Sequence, residues 1–119
     1  MTAPATPPVG PYTPVVRAGD WLVVSGQIGL ENGELVGGGI RGQLTQAIAN
    51  LAGHLEANGA GLEQVVKTTV FMANIGDFNA MNEAYTAAFG GNRPARSAVG
   101  VAGLPLGAVV EVEAWAYLA

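Results

Sequence analysis

Val110-Glu111-Val112-Glu113-Ala114-Trp115-Ala116-Tyr117-Leu118 is the stretch that decides the fold. Side chains alternate across a strand, so Val110, Val112, Ala114, Ala116 and Leu118 point one way and Glu111, Glu113, Trp115 and Tyr117 the other. The first face suits a core under helices. The second mixes carboxylates with large aromatics. An earlier stretch, Trp21-Leu22-Val23-Val24-Ser25-Gly26-Gln27-Ile28, carries a similar mixed face in Trp21, Val23, Ser25 and Gln27. A sheet built from such strands needs cover on both sides.

Working outward, Val15 to Ala18 and Trp21 to Ile28 read as a hairpin joined at Gly19-Asp20. Asn32-Gly33 is a turn with positive φ at both positions, and a short strand around Glu34 to Val36 follows. Ile40, Leu44, Ala47, Ile48, Leu51 and Leu55 make one helical stripe, stopped by Asn58-Gly59. Val65 to Ala73 is β-branched and apolar, a buried strand. Asp77 is placed to cap a second helix, whose Phe78, Met81, Tyr85, Ala88 and Phe89 share a face. Ser97 to Val101 and Val109 to Leu118 are the closing strands. The predicted order is β-β-(β)-α-β-α-β-β, an α+β fold. It forms one domain over residues 1–119, with residues 1–8 a flexible Pro-rich N-terminus. Two helices cover one side of a sheet this size. The other would show Trp and Val to water unless another subunit covers it, so that face is the expected oligomer interface.

Composition narrows the function. The chain has 119 residues, of which 50% are apolar and only 12% charged, against about 25% charged in an average soluble protein. So little charge coats a monomer poorly and favours an oligomer. The net charge is −4, and Arg17, Arg41, Lys67, Arg93 and Arg96 are scattered. No basic stripe tracks a phosphate backbone, so neither nucleic acid nor an acidic membrane surface is expected as a partner. With no cysteine, disulfides, thiol nucleophiles and thiolate zinc sites are excluded. No signal-peptide pattern or membrane-length apolar run is present, which makes a soluble cytoplasmic protein the expectation.

Several residues carry candidate chemistry. Gly37-Gly38-Gly39-Ile40-Arg41-Gly42 satisfies GxGxxG, but the acid that should follow, Glu56, falls inside the first helix, so the run reads as a flexible helix approach. His54 is the only histidine and borders the first helix's stripe, without a second ligand to share a metal. Arg96 opens a strand after Pro94-Ala95. Its partner is either an internal carboxylate, Glu111 or Glu113, or a substrate carboxylate gripped by two parallel N–H bonds. Glu111 and Glu113, two apart on one face, are either a surface pair or include a general base in a dry site. Tyr12, after Gly10-Pro11, either anchors the N-terminal strand or supplies a hydroxyl to a site.

Val9-Gly10-Pro11-Tyr12, Val24-Ser25-Gly26-Gln27-Ile28, Val66-Lys67-Thr68-Thr69-Val70-Phe71, Asn82-Glu83-Ala84-Tyr85, Pro94-Ala95-Arg96-Ser97 and Val110-Glu111-Val112-Glu113-Ala114 follow in order. Together they resemble the Rid/YjgF family of reactive-intermediate (enamine/imine) deaminases, over nearly the whole chain from Val9. The resemblance implies a chorismate-mutase-like α+β fold, a mixed sheet with two helices on one face. It implies a homotrimer with clefts between subunits. It implies hydrolysis of 2-imino acids and their enamine tautomers, such as 2-aminoacrylate/2-iminopropanoate and 2-iminobutanoate, to 2-oxo acid and ammonia without a cofactor or metal. By resemblance Arg96 clamps the substrate carboxylate and Glu111 positions or activates the attacking water. Tyr12, Ser25, Gly26 and Asn82 line the cleft, and the backbone near Ala98 contacts substrate. Ala98 stands where many members have Cys, and Gly100, Gly103 and Leu106 replace charged residues. The expected cleft rim is therefore less charged than usual, which shifts preference toward other or bulkier substrates.

The leading expectation is thus a small-molecule deaminase. The alternatives are a trimer that binds a small carboxylate without turnover, and a pathway-specific deaminase for aminoacrylate derivatives or aminomuconate. A ribonuclease or translation inhibitor is disfavoured by the charge distribution.

Overall fold

The computed structural model describes residues 2–119. β1 (Val15–Ala18) and β2 (Trp21–Gln27) form the first hairpin. A small ribbon follows, β3 (Leu30–Glu31) against β4 (Glu34–Leu35), turned by Asn32 at φ 54° and Gly33 at φ 81°. Only the second strand of this ribbon was legible in the sequence, because two residues are too few for a periodic signal. Then come α1 (Gly39–Ala57), β5 (Val65–Met72), α2 (Phe78–Phe89), β6 (Ala95–Gly100) and β7 (Val110–Tyr117).

The main sheet has the order β1-β2-β7-β5-β6. β5 and β6 run parallel across α2, and the remaining pairs are antiparallel. The fold is α+β, a mixed sheet with two helices. The alternating stretch that opened the sequence reading is β7, at the centre of the sheet. Val110, Val112, Ala114 and Ala116 are fully buried, in one cluster with Leu44, Ile48, Leu51 and Leu55 of α1 and Met81, Tyr85 and Phe89 of α2. Each such leucine contributes about 1.5–3 kcal/mol through burial.

The face away from the helices is as mixed as expected. Val16, Trp21, Val99, Trp115 and Tyr117 are exposed there. Trp21 meets Trp115 edge-on at 6.2 Å between ring centroids and Tyr117 at 4.9 Å.

Two local expectations need correction. Gln27 does not share the mixed face with Trp21, Val23 and Ser25. β2 pairs Val24 with Ala114 but Gln27 with Val112, so three residues of β2 run beside two of β7. This bulge at Ser25-Gly26 turns Gln27 to the helix side, where it is buried. Asp77 precedes α2, but its side chain caps nothing. The chain enters α2 through a 3-10 turn, Ile75–Asp77, and Asn74 caps that turn instead, accepting from the Gly76 N–H at 2.9 Å. Asp77 at φ −82° and ψ 10° is no longer in the extended conformation a cap requires.

α1 is buried well beyond its stripe. Ala49, Asn50, Ala52, Gly53 and His54 are also covered. Asn50 Nδ2 donates to the Ile28 and Leu30 carbonyls at 3.1 and 2.9 Å, fixing the ribbon to the helix. The Pro-rich N-terminal segment runs along the same helix, with the Ala3 N–H donating to the Ala49 carbonyl at 3.0 Å.

Candidate functional site

Glu111 lies on the mixed face of β7, level with Phe71 of β5 and beside the bulge of β2. The bulge brings Gly26 directly beneath its carboxyl group. A Cβ on Gly26 would stand 2.5 Å from Glu111 Oε2 and 2.6 Å from its Cδ, so only glycine lets this carboxyl settle here. Burial pushes the Glu111 carboxyl above the ordinary carboxylate range, and the like charge of Glu113 pushes the same way.

A cavity of about 240 Å³ opens over this carboxyl. Tyr12, Ser25, Gly26 and Glu111 all line it. Ser25 Oγ is buried without a hydrogen-bond partner among the described residues, so it remains available to a bound molecule. The Tyr12 hydroxyl accepts a bond from the Val9 N–H at 3.3 Å and keeps a proton to donate. Four of the seven residues singled out in the sequence thus share one cavity.

The other three gather elsewhere. Arg96 is level with Thr68 of β5, which is level with Ala114 of β7. Thr68 and Ala114 face the core, so Arg96 projects on the helix side of the sheet, opposite to Glu111. Its guanidinium lies 5.0 Å from the Tyr85 ring centroid and 5.6 Å from that of Phe78, and Nη1 is 3.6 Å from Met81 Sδ. Asn82 is the next residue on α2, half-buried, and Ala98 lies two residues along β6, against the rim of the core.

Neither carboxylate proposed as an internal partner reaches Arg96. The one ion pair among the described residues joins Arg41 to Glu83 at 3.2 Å, on the surface. Arg96 therefore rests on aromatic faces and a thioether, which attract the cation without neutralising it. Its planar fork, the geometry that grips a carboxylate with two bonds, is left without an ion-pair partner among the described residues. Within one chain, then, the Arg96 guanidinium and the desolvated acid lie on opposite faces of the sheet.

The cavity also holds residues that the sequence reading did not assign to it. Thr6, Gln27 and His54 line it together. Thr6 Oγ1 is 3.2 Å from Gln27 Oε1 and 3.1 Å from His54 Nε2. Burial lowers the His54 pKa from its ordinary 6.5. The available signal was Gly26 inside a strand pattern, which marks a bulge and hence the turned-in Gln27.

A family model described as "Endoribonuclease L-PSP" matches residues 2–118. The 2-iminobutanoate/2-iminopropanoate deaminase of Homo sapiens is 44% identical over 115 residues, which cover 95% of this chain and 84% of that protein. A RutC family protein of Pyrococcus horikoshii is 42% identical over 119 residues, 98% of this chain and 94% of that protein. The crystal structure of RidA from an Antarctic Psychrobacter species superposes with a TM-score of 0.91 at 39% identity, covering 98% of this chain and 96% of the other.

Proposed function

The chain belongs to the endoribonuclease L-PSP family, the Rid/YjgF proteins, and from that premise we propose that it is a hydrolytic deaminase of 2-imino acids and their enamine tautomers. The substrates are 2-iminopropanoate (from 2-aminoacrylate) and 2-iminobutanoate, and the products are the 2-oxo acid and ammonia. The observation that carries this reading is an arginine, Arg96, with no carboxylate of its own, in a chain that also holds a desolvated acid at Glu111. Relatives about 44% identical that are named for this activity support it.

The reaction asks little beyond those groups. The C=N bond is already electrophilic. Arg96 holds the carboxylate by two parallel N–H bonds and so fixes the imine carbon. Glu111, its affinity for protons raised by burial, accepts one from the attacking water as the C–O bond forms. It delivers that proton to the nitrogen, which completes the tetrahedral carbinolamine. It then takes the proton of the new hydroxyl and passes it to the same nitrogen as the C=O bond forms, the C–N bond breaks and ammonia leaves. Ser25 and Tyr12 supply hydroxyls toward the same carbon, while Asn82 and the backbone at Ala98 line the Arg96 side. No step calls for a metal or a cofactor.

Arg96 and Glu111 occupy opposite faces of one sheet, so the complete site joins the Arg96 half of one subunit to the Glu111 half of its neighbour. We take the assembly to be a homotrimer packed through the Trp21, Trp115 and Tyr117 face, with a cleft at each junction. Whole-chain likeness to RidA and the exposed aromatic face support this. We take it to be a cytoplasmic enzyme, a reading supported by a cysteine-free chain in which, among the described residues, no helix is long and apolar enough to cross a membrane.

The test is a coupled assay. A serine or threonine dehydratase generates the imine in place, semicarbazide competes to trap it, and 2-oxo acid release is followed. Wild type should restore release against semicarbazide, and Arg96→Ala and Glu111→Ala should not, at unchanged oligomer mass. Absence of restoration by wild type would overturn the reading.

A further inference from the structure

We propose that the segment Ala3–Val9 is the wall against which the substrate's side chain packs, and that Thr6, held between His54 and Gln27, is the residue that positions this wall. The inference deepens the deaminase reading and rests on it for the chemistry of the ligand.

Three separate contacts hold the segment on α1. The Ala3 N–H donates to the Ala49 carbonyl at 3.0 Å. The Ala3 carbonyl sits against Gly53, where any Cβ would collide with it. Thr6 Oγ1 lies 3.2 Å from Gln27 Oε1 and 3.1 Å from His54 Nε2. A mid-helix glycine costs roughly 1 kcal/mol against alanine. Its presence at Gly53, under the segment's backbone, marks the outer face of α1 as a docking track.

The donors and acceptors at Thr6 admit a consistent order. The hydroxyl has one proton, which goes to Gln27 Oε1 because a carbonyl oxygen only accepts. His54 then donates from Nε2 to Thr6 Oγ1, as a neutral imidazole with its proton on that nitrogen. Gln27 Nε2 passes the chain on, donating to the Ser25 carbonyl at 3.2 Å. Hydrogen bonds therefore run from α1 through Thr6 to the bulge that carries Ser25 and Gly26, directly beneath Glu111. Apolar residues at positions 6, 27 and 54 would pack the segment too, but a satisfied buried polar network fixes one position where greasy contact permits several.

The wall's surface states what it selects. Pro7, Pro8 and Val9 line the Glu111 cavity, with Pro105 adding a further apolar surface. None carries a donor on its side chain. Proline's fixed φ makes Pro7-Pro8 stiff, so the wall yields little to a longer ligand. Of the cavity's polar groups, Thr6, Gln27 and His54 are bonded to one another and Ser25, Tyr12 and Glu111 suit the reacting carbon, which leaves the proline wall for an apolar side chain of limited length, against the bulkier substrates expected from Gly100, Gly103 and Leu106.

The experiment uses the 2-oxo acid products as probes, so binding is read without turnover. Isothermal titration of the intact assembled protein compares 2-oxobutanoate with its branched homologue 4-methyl-2-oxopentanoate. Wild type should favour the shorter acid by roughly tenfold or more, the scale on which a pocket resolves single methylene groups. Thr6→Val and His54→Leu should each cut that ratio about fivefold, by weakening the shorter acid and admitting the longer one. Thr6→Ser, which keeps the hydroxyl, should restore the wild-type ratio. An unchanged ratio in both disrupting variants, an equal loss for both acids, or a Thr6→Ser that behaves like Thr6→Val would overturn the inference. So would absence of binding of either acid to wild type. A positive dehydratase-coupled assay beside such a result would leave the deaminase reading standing and remove the wall. A shifted ratio beside a negative assay would do the reverse.

Discussion

The Glu111 carboxyl rests on the Cα of Gly26, so close that a methyl group there would stand 2.5 Å from Oε2. The acid and the bulge are one device. The first prediction tests it. Gly26→Ala should drive the carboxyl from its seat and cut kcat by about 10²-fold or more as a displaced acid-base group does, with little change in stability, because the atoms the new methyl meets belong to the flexible end of the Glu111 side chain. Steady-state kinetics and urea denaturation on the same preparation would check both.

Glu111→Gln should separate activity from stability. Loss of the proton acceptor should lower kcat by about 10²–10⁴-fold. The fold raises this carboxyl's pKa, so the native state binds the proton more tightly than the unfolded chain. The charged form therefore costs stability at pH above the unfolded value of about 4.3, and the cost is in full once pH passes the folded value. Denaturation at pH 7 should show the glutamine variant more stable than wild type, with the advantage vanishing near pH 4. A variant less stable than wild type at pH 7 would contradict the sign.

Arg96→Lys should fail almost as badly as Arg96→Ala. Lysine keeps the charge but loses the fork that grips a carboxylate with two bonds and stacks on Tyr85 and Phe78. KM for the imine should rise by roughly 10–100-fold, the scale of one charge-assisted contact worth about 1.5–3 kcal/mol. Thermal unfolding should move little, since a partly exposed cation–π contact is worth about 0.5–1 kcal/mol.

His54 should make the fold acid-sensitive. Burial lowers its pKa in the native state below 6.5, so the unfolded chain takes up the proton first. Its contribution is fully present above pH 6.5 and is lost as pH falls through the lower folded value. The urea midpoint of wild type should drop between pH 7.5 and 5, and the drop should shrink in His54→Gln. Equal drops in both proteins would assign the effect to other groups.

Trp115→Glu should break the assembly and the activity together. A carboxylate in the centre of the aromatic face would have to be desolvated in the proposed assembly, a cost that the Lys67 ammonium, level with it on β5, offsets only in part. Sedimentation should show a mass falling from about three times 12.0 kDa toward that of one chain. The dissociated protein should be inactive with Arg96 and Glu111 both intact, because their halves no longer meet.

What the sequence disclosed follows from the range of each interaction. The alternation of β7 and the stripe of α1 are local patterns, and both specify buried faces. Arg96, Glu111, Ser25, Gly26, Tyr12, Asn82 and Ala98 were marked by short motifs, and four of them do share a cavity. That Arg96 and Glu111 lie on opposite faces was not legible, because it depends on how β6 and β7 register through β5, strands far apart in the chain. Gln27 was misassigned for a related reason, since a bulge moves every later residue of its strand to the other face. The Thr6–His54–Gln27 contact joins three distant segments and leaves no trace in any one of them.

β7 lies between β2 and β5 at the middle of the sheet, yet it is the last strand of the fold to be made. Trp21 pairs with Tyr117, so the hairpin formed first must wait for nearly the whole chain before it gains its neighbour. Until β7 pairs, β1-β2 and β5-β6 are two half-sheets with no strand to join them. Closing so long a loop is slow compared with local pairing. The decisive folding step therefore waits for β7, and a truncation that removes this strand would leave a protein without a centre rather than one with a shortened end.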